Sequence, residues 1–132
     1  MSDQFDELLA KEKMDRISSI SVDILRALVI LHGSAWQSDL VDTLSGLWRL
    51  KGLGMNDMID LVHSIPEALK KVEELGLVES EQRPRGDLSS VETVEDKLYS
   101  TKGLWPINSI LSSDPLIKKY IREVMNYRPS EP

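Results

Sequence analysis

Along the first 75 positions the apolar residues recur every three or four places, and past Gly76 the period changes. That contrast predicts helices followed by strands. Phe5, Leu8 and Leu9, together with Ile17, form a narrow stripe for a first helix over 3–17. The stretch from Val22 to His32 is apolar nearly all round, which marks a buried helix; Ser21 is placed to cap its start and Gly33 to end it. A third helix over 35–48 puts Trp36, Leu40, Leu44 and Leu47 or Trp48 on one face. The glycines of RLKGLGMND then break the pattern, and a short helix over 57–63 follows. Ser64-Ile65-Pro66-Glu67 reads as a capping box with proline in the first turn, so a new helix is expected from Ile65 to Gly76. Its apolar face is Ile65, Ala68, Leu69, Val72 and Leu75, with Glu67, Lys70, Lys71 and Glu74 facing outward.

Two strand patterns come next, LVESEQ over 77–82 and KLYST over 97–101, joined by the polar, turn-rich RPRGDLSSVETVED. They predict a hairpin with a mobile tip that carries Arg83 and Arg85. A short helix over 104–111 and a last helix through 127, opened by the cap and first-turn proline Asp114-Pro115, complete the chain. The fold class is mainly α, of α+β type, in a single domain over 1–132.

Composition narrows the function classes. Hydrophobic residues make up 41% and charged residues 29%, the balance of a soluble globular domain. Cysteine is absent, which removes disulfides, thiolate metal sites and cysteine nucleophiles. No apolar run is long enough to span a bilayer or form a signal-peptide core, so a cytoplasmic protein without membrane contact is expected. The net charge is −6, and only the segment 103–132 leans basic, with four bases against three acids.

The order helix, helix, helix, two-stranded hairpin resembles the winged helix-turn-helix domains. "ALKKVEELGLVES" is similar to their reading helix and first wing strand, and "KLYSTKG" to the returning strand. The likeness covers 21–103, flanked by an N-terminal helix in 1–20 and C-terminal helices in 104–132. Its texture resembles small archaeal and bacterial MarR-like or ArsR-like transcription regulators, and winged helices in archaeal transcription-initiation factors are also similar. "RLKGLGMNDMIDLVH" stands as an insertion before the reading helix. What the resemblance implies is a reading helix in the major groove and a wing on the backbone. Lys70, Lys71, Arg83, Arg85 and Lys97 would then be the DNA-binding residues. It also implies a homodimer, paired through the flanking helices to match two-fold operators.

The same residues support a plainer reading. Glu67 stands three and four places before Lys70 and Lys71, and Glu74 four after Lys70, the spacing of solubilising ion pairs. A DNA reader ordinarily carries a basic footprint, and Glu67, Glu74, Glu79 and Glu81 repel phosphate. Two functions follow: a DNA-binding transcription regulator, or a winged helix used for protein–protein contact inside an assembly. The sequence holds no Gly-rich phosphate loop, no G-x-S-x-G elbow and no H-E-x-x-H, so no enzyme and no cofactor is expected. His32 and His63 are too far apart in sequence to suggest a metal site; His32 is expected at a helix C-terminus and Trp36, Trp48 and Trp105 in the core.

Overall fold

Asp15 sets where the central helix begins. In the computed structural model, which describes residues 3–85, 94–101, 111 and 113–125, helix α1 covers Asp3–Ala10 and α2 covers Arg16–Ile30. Between them Asp15 is extended, and its carboxylate accepts from the Ser18 amide at 2.7 Å and the Ser18 hydroxyl at 2.9 Å. The single helix expected over 3–17 is therefore two elements, because a capping carboxylate satisfies amides that a helix start leaves open. Ser21, expected as the cap, lies inside α2 and donates to the Ile17 carbonyl at 2.6 Å.

The end of α2 falls where Gly33 predicts. His32 and Gly33 both take left-handed backbone, at φ 64° and 93°, and the Gly33 amide donates to the Leu28 carbonyl. The chain then enters a strand that periodicity missed, β1 (Ser34–Trp36), and only afterwards α3 (Gln37–Leu50). Trp36 is partly exposed at the junction, whereas Trp48 is buried.

Helix α4 runs unbroken through Met55–Glu74 with Pro66 inside it. This corrects the expected break at Ser64. Met58, Leu61, Ile65, Leu69 and Val72 stay in helical phase across the proline, so one inward face continues. Ser64 does not cap; its hydroxyl donates to the Asp60 carbonyl at 3.4 Å. Pro66 lacks the N–H that would meet the Val62 carbonyl, and both residues are exposed, so that carbonyl is not sealed in the core.

The hairpin spans the expected stretch, but its strands β2 (Val78–Arg85) and β3 (Val94–Thr101) are each longer than expected, and the antiparallel sheet has the order β1-β3-β2. Arg83 and Arg85 pair with Asp96 and Val94 along the backbone, so they are strand residues and not part of the turn. Pro84 is compatible with β2 because that strand forms a sheet edge.

The flanking segments close over the same core. Phe5 and Leu8 of α1 are buried, as are Leu111 and, in α5 (Pro115–Tyr120), Ile117 and Tyr120. Asp114 caps α5 as expected, accepting from the Leu116 and Ile117 amides. Gly46 of α3 makes room for the Tyr120 ring, which would lie 2.8 Å from a Cβ there. The helix then widens to a π-turn over Ile121–Met125. The apolar stripes on which a homodimer was expected are largely consumed within the chain, leaving Ile121 and Val124 exposed among the described residues of the C-terminal segment. The expected helix over 104–111, apart from buried Leu111, lies outside the described residues, as do Trp105 and the chain beyond Met125.

Gly76 follows α4 at φ 76°, and a Cβ there would meet nothing within 4 Å. The cost of a side chain is therefore purely that of left-handed backbone. We predict that Gly76→Val destabilises the protein by about 1–2 kcal/mol, and that Gly76→Asn costs less because asparagine tolerates that region. Paired thermal melts check the order.

Candidate functional site

Of the five cations expected to meet DNA, the four whose side chains are described do not converge. Lys70 is exposed on α4 and sits 4.0 Å from Glu74, one turn on. Lys71, expected to face outward, turns instead onto the start of α2, where its ammonium lies 3.3 Å from the Ser18 hydroxyl. Arg83 is exposed on β2, and its Nε lies 2.7 Å from Glu81. Lys97 is exposed and stands opposite Gln82, whereas Arg83 stands opposite Asp96. Neighbouring strand positions face opposite sides of a sheet, so Arg83 and Lys97 are on different faces. The side chain of Arg85 lies outside the described residues. Exposed pairs of this kind contribute roughly 0–1 kcal/mol each, but they do offset the charge that phosphate would need.

The exposed half of α4 is apolar and acidic. Met55, Ile59 and Val62 are exposed at i, i+4 and i+7 and form a stripe that continues to Pro66. Asp57, Asp60 and Glu67 are exposed on the same helix, and no lysine or arginine precedes Lys70. Reading Ser64 as a helix start hid this surface, because it cut the stripe in two.

The strongest electrostatic feature lies behind α4. Arg26, 7% exposed, reaches three carboxylates: Glu12 in the α1–α2 turn at 2.5 Å, Asp23 on its own helix at 2.8 Å and Asp114 at the cap of α5 at 3.0 Å. Asp23 in turn accepts from the Trp48 indole at 3.0 Å and from the Lys51 ammonium at 2.8 Å. Burial opposes the charge on Arg26, but its bonds and proximity to Glu12, Asp114 and Asp23 prevail and raise its pKa above the ordinary arginine value. The spacing of Asp23 and Arg26, three apart in an apolar helix, was the available signal for this group.

Two further titrating groups are shifted. The Ser18 amide and hydroxyl hold the Asp15 carboxyl below its usual range, helped by Lys71 and Lys11. Burial raises the Tyr99 phenol, and the charges of Glu73 and Asp96 raise it further. A cleft of about 370 Å³ opens between α2, the end of α3 and the first half of α4, with Arg16, Asp57 and Asp60 on its walls. Among the described residues no group of three or more His, Cys, Asp or Glu side chains is placed to hold a metal ion, and no helix is long and apolar enough to cross a membrane.

No family model, curated protein or solved structure matches this chain.

Removing one partner of a buried ionic cluster strands the others without compensation. Arg26→Met is expected to lower stability by about 3–5 kcal/mol, read as a shift of the urea midpoint. For Asp15 the sign follows from its lowered pKa: its contribution is full above the unfolded value and is lost as pH falls through the folded one. The gap in melting temperature between the wild type and Asp15→Ala is therefore expected to persist at neutral pH and to narrow below pH 3.8.

Proposed function

We propose that this chain is a winged-helix interaction module whose long helix α4 docks a protein surface and does not read DNA. The observation that carries this reading is the exposed face of α4, where Met55, Ile59, Val62 and Pro66 form an apolar stripe and no lysine or arginine of the helix precedes Lys70. In a winged helix this is the element that would enter the major groove. An exposed apolar ridge offers phosphate no counter-charge and complements an apolar ridge on a protein partner. The β1-β3-β2 sheet beside three helices is consistent with the winged-helix order, and the net charge of −6 favours a basic partner.

Duplex DNA is the second reading, as the target of a transcription regulator. Arg83, exposed on an edge strand, favours it, with Lys70 and Lys97 as auxiliary phosphate contacts.

The two readings separate in one pair of titrations. A leucine–lysine amphipathic peptide is expected to bind the wild type and to lose at least about tenfold in affinity when Ile59→Asp and Val62→Asp are combined. Both positions are exposed, so the fold is expected to survive. Random-sequence duplex DNA is expected to show no binding by fluorescence anisotropy at about 20 mM salt, where counterion release most favours association. Duplex binding that disappears with Arg83→Ala and Arg85→Ala, and leaves the peptide unbound, would overturn the proposal in favour of DNA.

A further inference from the structure

The cleft between α2, α3 and α4 carries free charges of opposite sign on its two sides. Arg16 and Ser19, one turn apart, come from α2, and Asp57 and Asp60 from α4. Leu53 and Leu61 supply apolar surface. Its volume of about 370 Å³ falls in the range of small-molecule pockets, roughly 300–1,000 Å³.

Availability separates these groups from their neighbours. Lys51 and Asp23 also line the cleft, but they are joined to each other at 2.8 Å, and Asp23 is further held by Arg26 and Trp48. Among the described residues the side chains of Arg16, Asp57 and Asp60 make no hydrogen bond or ion pair. A positive group and two carboxylates thus face one small space without satisfying one another.

We infer that this cleft binds a small zwitterion with an apolar side chain, in its simplest form an α-amino acid. Its ammonium meets Asp57 and Asp60, and its carboxylate meets Arg16 and the Ser19 hydroxyl. Its side chain lies against Leu53 and Leu61. The free charges are one positive and two negative, so a simple anion meets net repulsion and a bare amine leaves Arg16 without a partner. A hydrophobic amino acid satisfies both walls. Helical periodicity puts Asp57, Asp60 and Leu61 on the side of α4 away from Met55, Ile59 and Val62, so the site stands independently of the docking surface proposed above.

Heteronuclear NMR on the full chain tests this with three probes: L-leucine, isoamylamine and isovalerate. L-Leucine is expected to give saturable shifts at the amides of Ser19, Asp60 and Leu61 and at the Trp48 indole. The amine and the acid, each with half of the charge pattern, are expected to bind at least about tenfold more weakly. Asp57→Asn with Asp60→Asn is expected to abolish L-leucine binding with an unchanged melt. Arg16→Gln, on the opposite wall, is expected to weaken it by a similar factor. Equal binding of isoamylamine would make this a cation site, and equal binding of isovalerate an anion site; either result overturns the proposal. So does the absence of saturable shifts with any of the common amino acids at about 10 mM.

Discussion

The fold hangs on one buried guanidinium. Arg26 lies in the mostly apolar second half of α2, and it joins the turn before that helix, the helix itself and the cap of α5. Asp23 extends the network to the end of α3 through Trp48 and Lys51. Four segments far apart in sequence meet on two residues one turn apart. Desolvating such charges costs several kcal/mol per ion, and the network is tolerable only because each member has partners. An apolar cluster of the same volume would hold these helices about as firmly, but it would not dictate which face of α5 meets α2. Asp114 does so with both oxygens, one on Arg26 and one on the first amides of its own helix.

That hub also explains why the surfaces around it behave differently. Lys51 and Asp23 line the cleft but neutralise each other, so the free charges there belong to Arg16, Asp57 and Asp60. On the α4 and hairpin side the cations are met locally, by Glu74 for Lys70 and by Glu81 for Arg83. The negative character of the chain therefore emerges along the first half of α4, where the aspartates share their helix with no base before Lys70. The charge that matters for recognition is what remains after pairing, not what the composition counts.

Much of this was legible in the sequence, with misses that have physical causes. The buried character of α2, its end at Gly33, the left-handed Gly76 and the Asp114-Pro115 start all follow from local chemistry. The α+β class follows from the change of period past Gly76. Local chemistry misled at Ser64: a capping box and a proline signal a helix start, yet Met58, Leu61 and Ile65 stay in phase and packing overrode both. β1 was invisible because three residues carry no period; Ser34–Trp36 become a strand only by pairing with β3, more than sixty positions on. The reach of Lys71 to Ser18 and the division of Arg83 and Lys97 between sheet faces depend on tertiary placement and register, which no spacing rule supplies.

The edge position of β2 has a consequence for how this chain keeps apart from its copies. Open strand edges offer unpaired amides and carbonyls that template growth by other chains. Among the described residues the sheet has two such edges. One is β1, only three residues long. The other is β2, where Pro84 supplies no amide and Glu79, Glu81 and Arg83 place two negative charges and one positive along the strand. A second hairpin approaching in register would set glutamate near glutamate and find a donor missing. The same charges make this hairpin a poor seed for fibrils, with three strands in the sheet among the described residues.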